Sequence, residues 1–420
     1  MLSERLYRLA TGQTGGQAKA RAFGIHAVSL TATKTADGLI DPKLVLSWLL
    51  SAVGAPGYLI GGLVPVRESG ALLPQLALAR WIQGARRRRW FWVGGSLVQG
   101  LAALGIAASV VLLDGTAAGF AVVGLLALLA VARSSCSASY KDVLARTVDT
   151  GARGTVAGLA GTVASVAVFA FAAFVALGVI PREIWPIACA VALAGGLWLL
   201  AAATFGTLDE PPATPEADGA ASVNRLTAPL REDAEFRVYL ATRALLIATA
   251  LAPPFIVLLG NSGGAGDDLG NLGALLLGSS AAAILSSYLW GRLSDRSSRR
   301  TLALSGAAAA LVLGAASVSG FLSGGLGPGW AAAMYVFGAQ IAYFGVRAGR
   351  ATHLADMDTQ GRKPRYTALS NTLIGVLLLA GGGFGLLADV AGPETVLAVF
   401  AAMGALAALV ALRLSEVQSA

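Results

Sequence analysis

Charged residues are scarce in this sequence. Only 13% of the 420 residues are Asp, Glu, Lys or Arg, whereas an ordinary soluble domain has about 25%. Hydrophobic residues make up 56% of the chain, and the mean hydropathy is +0.70. This composition argues against a soluble globular protein. It is close to what a dozen helices of about 20 apolar residues would require.

Cysteine and histidine are also sparse. Cys136 and Cys189 both lie in apolar runs, and His26 and His353 are far apart in the sequence. These residues suggest neither a disulfide framework nor a zinc site. The sequence has no phosphate-binding loop and neither of the patterns H-E-x-x-H and C-x-x-C, and its one G-x-S-x-G, at 260–264, lies in a glycine-rich stretch that follows no strand. We therefore expect no metal, no cofactor and no enzymatic activity, and no cleavable signal peptide is evident at the N-terminus.

The apolar residues are grouped into runs that are long enough to cross a bilayer. Between the sixth and seventh runs, residues 207–237 begin with a proline-rich, acidic stretch, which predicts a flexible linker before a short surface helix. The sequence thus predicts an all-α membrane protein with twelve transmembrane helices, six in 1–206 and six in 238–420. The predicted spans, one to twelve, are about 22–46, 51–79, 90–113, 117–139, 154–179, 184–206, 238–260, 269–291, 301–323, 329–350, 365–388 and 393–412.

Positive charges are distributed unevenly around these spans. Of the 31 Lys and Arg residues, 24 fall on the side of the termini, two on the opposite side and five within spans. Because cationic loops stay on the cytoplasmic side, this bias predicts an inner or plasma membrane protein with both termini in the cytoplasm. The pI near 9.8 then reflects orientation signals and contacts with the lipid bilayer, and not nucleic-acid binding.

Two charged pairs recur at matching places in the two halves. Arg133 is followed nine residues later by Asp142, and Arg347 is followed nine residues later by Asp356. Both pairs begin at the end of the fourth span of their half. A parallel repeat of this kind is typical of transporters whose halves are related by an axis along the membrane normal.

The most charged loop, GRLSDRSSRR, lies between spans eight and nine. With twelve spans and a central linker, it resembles the motif G-x-x-x-D-[RK]-x-G-[RK]-[RK] of the major facilitator superfamily, and the resemblance covers nearly the whole chain. The resemblance implies two pseudo-symmetric six-helix bundles and a latch that holds the outward-open state. Ser298 replaces the second glycine, and the copy between spans two and three has Gly84 in place of the aspartate. The matching residues are Gly291, Asp295, Arg296, Arg299 and Arg300.

The same resemblance argues against several branches of that family. Span five contains no proline, and so it lacks the Gly-Pro-rich motif of the drug/proton antiporters. Neither the sugar-porter signature after span six nor the peptide-transporter pattern E-x-x-E-R in span one is present. The substrate class therefore stays open.

Ionisable residues within spans are candidates for function. Each costs roughly 2.5–3.5 kcal/mol at mid-bilayer, so it must pair, line a cavity or lie near an interface. Lys34 and Asp37 share one helix face, and either they pair or they form a substrate or proton site. Glu68 is the favoured residue for proton coupling, with a structural ion pair as the alternative, while Arg67 points about 100° away. Asn371 either faces the cavity or forms a helix-to-helix hydrogen bond.

The arginines near the cytoplasmic ends of spans have a different interpretation. We expect Arg133 and Arg347 to be gating or structural residues, with binding of an anionic substrate as the alternative. Asp142 and Asp356 should join the same cytoplasmic charge networks. Arg243, near the cytoplasmic end of span seven, is expected to snorkel to the interface.

Together these features predict a secondary transporter that moves a small organic solute by alternating access, coupled to protons through Asp37 and Glu68. One alternative is an uncoupled facilitator, in which the carboxylates only balance Lys34 and Arg67. Another is a transporter-like sensor or assembly protein that moves nothing. The expected partners are the solute, H+ and the lipid bilayer, and the architecture is typical of a monomer.

Overall fold

The computed structural model describes residues 16–181, 183–212, 223–262, 271–327, 329–357 and 363–418, and the regular elements in these ranges are all α-helices. The all-α class is therefore confirmed. Helices α1 to α17 are, in chain order, Gln17–Leu39, Val45–Ala52, Gly57–Leu72, Gln75–Gly84, Arg89–Leu112, Gly115–Thr147, Thr150–Ala176, Ile184–Gly206, Val223–Glu232, Ala234–Leu245, Ile247–Ser262, Asn271–Arg296, Ser298–Ser323, Gly329–Asp356, Lys363–Ala380, Gly383–Ala391 and Pro393–Ala411.

The chain forms two compact units. Residues 42–69 and 172–182, which the sequence places in the first half, pack in the second unit. The division of the chain at 207–237 into two six-helix bundles stays a prediction. The first unit comprises Met1–Asp41, Gly70–Phe171 and Glu183–Gly219, and the second comprises Pro42–Ser69, Ala172–Arg182 and Ala220–Ala420.

Eight helical stretches in the described residues are long and apolar enough to cross a membrane. They correspond to spans three to seven, nine, eleven and twelve. Two helices bent by 41°, Leu272–Ser286 and Leu289–Arg296, form a ninth stretch at the place of span eight. Spans one, two and ten are also helical, but they do not pass the same test of length and apolarity. The count of twelve therefore stays a prediction.

Prolines interrupt the first two predicted spans. The break between α1 and α2 contains Pro42, which has no N–H to donate and disfavours helical backbone at Asp41. Pro74 immediately precedes α4, at the position where a missing N–H costs least. The sequence predicts each of these spans as one continuous helix, and the structure has two helices in each.

Span seven is interrupted at a different place from the one predicted. The sequence predicts a break or kink at Pro253 and Pro254, but α11 continues as a helix through both prolines. The break lies at Leu246, which separates α10 from α11. The N–H of Thr249 bonds the Leu246 carbonyl three residues back, and its hydroxyl bonds the same oxygen at 2.8 Å. The backbone thus tightens one turn before the prolines.

Glycine pairs bring helix backbones into contact at equivalent places in the two units. In the first unit, a Cβ added to Gly100 on α5 would lie 2.9 Å from the carbonyl oxygen of Gly195 on α8. In the second unit, a Cβ added to Gly306 on α13 would lie 2.8 Å from the carbonyl oxygen of Gly404 on α17. Small residues allow membrane helices to approach this closely. The same contact therefore joins spans three and six and spans nine and twelve.

The close contact between α13 and α17 predicts that even one methyl group added at Gly306 lowers the stability of the folded protein. Gly306→Ala places a methyl group against the Gly404 carbonyl and, at 2.9 Å, the backbone nitrogen of Ala408. Because backbone atoms cannot rotate away, we expect a loss of about 1–3 kcal/mol, measured as a lower melting temperature of the purified protein.

Gly314→Ala on the same helix is the matched control. Its added Cβ would lie 3.7 Å from the Ala401 side chain, which is ordinary contact. Alanine also has the higher helix propensity, so this variant should be neutral or more stable. Equal losses in both variants would show that the backbone contact at Gly306 does not limit the packing.

Candidate functional site

An ion pair joins two predicted site residues within the first unit. The guanidinium Nη1 of Arg133 on α6 binds both carboxylate oxygens of Asp37 on α1. The side chains are 36% and 22% exposed, so the pair lies at a partly accessible position between spans one and four. A charge-assisted bond of this type offsets the cost of placing both groups within the membrane.

Lys34 contacts a different helix. Its ammonium donates a hydrogen bond to the carbonyl oxygen of Ala157 on α7 at 3.0 Å. A Cβ added to Gly161, one turn further along α7, would lie 3.2 Å from Lys34 Nζ, so the missing side chain makes room for the ammonium. Asp37 therefore has an ion-pair partner on another helix, Arg133, and the pairing of Lys34 with Asp37 stays a prediction.

The remaining candidates of spans one and two lie in the second unit. Arg67 on α3 is buried, with 8% of its surface exposed, and Glu68 is half-buried. Three contacts join other residues of the segment 42–69 to helices of the second half. Lys43 lies 3.3 Å from the ring centroid of Tyr343, the N–H of Tyr58 donates to Asp389 at 3.0 Å, and Gly61 packs against the backbone of Gly385.

Arg243 does not snorkel, contrary to the sequence-based expectation. It is only 7% exposed, on α10. Its guanidinium donates to the hydroxyl of Ser370 at 2.5 Å and to the amide oxygen of Asn371 at 3.0 Å, both on α15. The helix-to-helix hydrogen bond that was one interpretation of Asn371 is therefore present, and Arg243 is the residue that provides it.

In the first unit, Asp142 belongs to a charge network with two other arginines, while its predicted association with Arg133 stays a prediction. It lies 3.1 Å from Arg88 Nη1 and 2.8 Å from Arg146 Nε. Next to it, the buried carboxylate of Glu210 accepts hydrogen bonds from the backbone N–H groups of Arg88 and Arg89 at 3.0 and 2.9 Å. A carboxylate at a helix N-terminus satisfies donors that the helix itself leaves without partners. Glu210 thus anchors the start of span three.

The C-terminal residues have an equivalent role in the second unit. The hydroxyl of Ser297, which caps α13, donates to the carboxylate of Glu416 at 2.6 Å. Gln418 accepts from the N–H of Ser298 at 2.8 Å and donates to Asp356 at 2.9 Å. The start of span nine is therefore anchored by the segment that follows span twelve.

His353 lies at the centre of this second network and is completely buried. Its Nδ1 is 2.9 Å from the hydroxyl of Ser298, its Nε2 is 3.4 Å from the Glu235 carboxylate, and its ring stacks on Tyr239. Burial lowers the pKa of His353 below its ordinary value of 6.5, and the carboxylates of Glu235, Glu416 and Asp356 oppose the shift.

A histidine–tyrosine pair occurs in both units with the residues exchanged. His26 on α1 contacts Tyr140 on α6, and Tyr239 on α10 contacts His353 on α14. The members of the first pair are 114 residues apart in the sequence, and so are those of the second. Sequence analysis missed this repeat because it compared identical residues, and only a search that allows the exchange would find it.

The residues of the loop motif are mostly at the surface. Asp295, Arg296, Arg300 and Arg347 are exposed, and Gly291 is half-buried. Arg299 differs, because it lies 3.6 Å from Glu416. Of the predicted site residues, Asp37 and Arg133 are in contact in the first unit, and Asn371 is in contact with Arg243 in the second unit. The gating role of the loop residues stays a prediction.

The fold is similar to those of solved membrane transporters. The nucleoside transporter NupG has a TM-score of 0.69 at 11% identity, covering 95% of this chain and 99% of NupG. A POT family transporter in complex with a thioalcohol-conjugated peptide has 0.67 at 9%, covering 93% and 95%. The peptide transporter POT in complex with sulfate has 0.68 at 12%, covering 94% and 93%.

No protein-family model matches this sequence, and no curated protein matches it either. At these identities the likeness shows the fold alone. That fold is the one of the major facilitator superfamily, as the loop motif and the apolar runs predict, while the count of twelve helices and the division into two six-helix bundles stay predictions. The chain is a multi-pass membrane protein.

The anchoring of span three by Glu210 predicts a loss of stability when its charge is removed. Glu210→Gln keeps the shape but weakens the hydrogen bonds to two backbone N–H groups, one of them buried, so we expect a loss of about 1–3 kcal/mol in the free energy of unfolding, measured by thermal unfolding. Asp209→Asn is the matched control, because the neighbouring carboxylate is exposed and should contribute little. An equal effect of the two variants would contradict the capping role of Glu210.

The lowered pKa of His353 predicts a pH dependence of stability. As pH falls below about 6.5, the unfolded chain binds a proton at this residue more readily than the folded protein, so acidification favours unfolding. We expect the melting temperature to fall between neutral pH and about pH 5, and to fall less in His353→Gln. Because both proteins retain His26, the difference in slope isolates His353, and parallel slopes would contradict the shift.

Proposed function

From its major facilitator superfamily fold, we propose that the protein is a secondary transporter that moves a small organic solute across a cell membrane by alternating access, coupled to protons. The ion pair between Asp37 and Arg133 carries the proposal. The carboxylate and the guanidinium lie at a partly accessible position between spans one and four. Protonation of the carboxylate would break its charge-assisted bond to the guanidinium, and loss of the proton would restore it.

The coupling follows from the charge balance of this pair. A proton that binds a carboxylate oxygen of Asp37 neutralises it and releases the Arg133 guanidinium. The freed cation then needs another partner, which the solute or a rearranged helix can provide. When the proton leaves on the other side of the membrane, the ion pair forms again. One proton is thus carried for each cycle in which the pair opens and closes.

Alternating access also requires contacts that open and close. In the second unit, the contacts of Lys43 with Tyr343, Tyr58 with Asp389 and Gly61 with Gly385 join spans one and two to spans ten and eleven. We assign them to the gate at the end of the molecule opposite to the termini. The exposed loop residues, Asp295 and Arg296 among them, belong to the latch at the other end.

The positive charges support cytoplasmic termini in an inner or plasma membrane. In this proposal the two six-helix bundles predicted from the sequence, 1–206 and 238–420, are the two halves that move relative to each other, and residues 207–237 link them.

The solved proteins of similar fold include the nucleoside transporter NupG and a POT family transporter in complex with a peptide, so small polar solutes of these sizes are suitable first probes. We propose that the protein works as a monomer.

A second candidate is a facilitator without proton coupling. It is favoured by the direct contact of the Asp37 carboxylate with Arg133, because each of the two charges then has its countercharge within the protein. In this case the pair only neutralises two charges within the membrane. The two functions differ in whether a pH gradient can drive accumulation.

The role of Asp37 can be tested in proteoliposomes that contain a pH-sensitive dye, with a panel of nucleosides, dipeptides and organic acids as solutes. In Asp37→Asn the residue cannot release a proton, so we expect solute-driven proton entry to fall by about tenfold or more while exchange of solute without a gradient persists. Asp114→Asn, which changes an exposed aspartate between spans three and four, is the control.

Three results would contradict parts of the proposal. Proton entry that is undiminished in Asp37→Asn would exclude Asp37 as the coupling residue. Solute accumulation by the unmodified protein that ignores collapse of the pH gradient would establish the facilitator. Absence of flux for every solute, from a folded sample, would favour a sensor or assembly protein.

A further inference from the structure

Arg243 is a buried cation for which the described residues provide no carboxylate partner. It is 93% buried in a stretch that is apolar enough to cross a membrane. Its side-chain partners are the hydroxyl of Ser370, the amide of Asn371 and the hydroxyl of Tyr239, and its Nε has no partner among the described residues. An arginine in such a position ordinarily pairs with a carboxylate, as Arg133 does with Asp37.

The carboxylates on the same helix are engaged elsewhere. Asp233 accepts from the N–H of Phe236 and from the hydroxyl of Tyr366, both at 3.0 Å. Glu235 accepts from Ser415 at 2.8 and 2.9 Å and contacts His353. The ionisable groups that act on Arg243 are the Tyr239 hydroxyl, which hydrogen-bonds it, and the Arg350 guanidinium, which adds a second positive charge.

The hydrogen-bond directions leave donors at the edge of this cluster. Arg243 uses the hydroxyl oxygen of Ser370 and the amide oxygen of Asn371 as acceptors, and Ser370 also hydrogen-bonds Tyr239. The Asn371 NH2 group therefore remains as a donor, next to the remaining N–H groups of the guanidinium. Asn371 is half-buried, so the cluster has an accessible edge. A set of donors with a net positive charge is complementary to a carboxylate or a phosphate.

We infer that Arg243, Ser370 and Asn371 bind the carboxylate or phosphate group of the transported solute, which makes the solute an organic anion. This inference rests on the proposed transport function. The solute anion would supply the charge that Arg243 lacks within the protein. The bound anion would also contact both α10 and α15, two helices of the second half, because Arg243 lies on α10 and Asn371 on α15.

The first test supplies the missing anion from within the protein. Asn371→Asp is nearly isosteric and places a carboxylate 3.0 Å from Arg243. We expect the ligand-free variant to melt higher, by about 2–4 °C, because the buried cation gains a countercharge. A melting temperature that is unchanged or lower would overturn the inference, since Arg243 would then lack nothing that a carboxylate provides.

The second test measures binding in nanodiscs of neutral phosphatidylcholine. The probes are succinate, benzoate and inorganic phosphate, with succinamide and benzamide as the uncharged counterparts. We expect an acid to raise the melting temperature where its amide does not. Arg243→Gln and Asn371→Asp should each weaken this binding by roughly tenfold to a hundredfold. Arg237→Gln, an exposed arginine on the same helix, should leave it unchanged.

These measurements distinguish a soluble anion from a lipid headgroup, and they distinguish anion binding from transport. If phosphatidylglycerol in the nanodisc stabilises the protein through Arg243 and no soluble anion does, the site binds a lipid headgroup and the inference is wrong. An acid that binds equally well to Arg243→Gln also overturns it. Arg243-dependent binding in a protein that gives no flux would instead contradict the proposed transport, while the anion site would stand.

Discussion

The absence of water from the membrane interior is the constraint on which this structure depends. Every backbone polar group within the spans must be satisfied by the chain itself, and helices achieve this. Prolines that lack an N–H lie at the helix breaks at 42 and 74, and the carbonyl of Leu246 accepts from both the hydroxyl and the N–H of Thr249. The same constraint applies more strongly to charges, which explains why Asp37 and Arg133 are paired and why Arg243 is hydrogen-bonded.

Two arginines illustrate how this constraint bears on function. Arg133 has a carboxylate partner within its own unit, so its charge is balanced and a proton on Asp37 would unbalance it. Arg243 has only neutral hydrogen-bond partners among the described residues, so no carboxylate of that part of the chain balances its charge. A buried cation without a countercharge is costly, and this cost is the reason for the proposed anion site.

The repeat is expressed in structure more clearly than in sequence. Glu210 and Glu416 each follow the last span of a half, and each binds the beginning of the third span of that half. The glycine contacts between Gly100 and Gly195 and between Gly306 and Gly404 are equivalent as well. Identical residues mark only part of this relation, because a histidine–tyrosine contact is retained when its two members change places.

The sequence by itself determined the class of the protein. Low charge and long apolar runs dictate membrane helices, because hydropathy is a sum over residues that needs no knowledge of partners. The loop from Gly291 to Arg300 indicated the superfamily fold. The proline breaks of spans one and two could have been predicted from Pro42 and Pro74 by the same local rules.

The partners of charges were decided only by the tertiary structure. Sequence spacing pointed only to Lys34, three residues away, as a possible partner of Asp37, and the ion pair with Arg133 on another helix became visible only in the structure. Arg243 was predicted to reach the interface, and it bonds Ser370 and Asn371 instead. Sequence spacing fixes which residues share a helix face. Which face meets which neighbouring helix depends on packing over the whole unit, and this decides whether a charge is balanced.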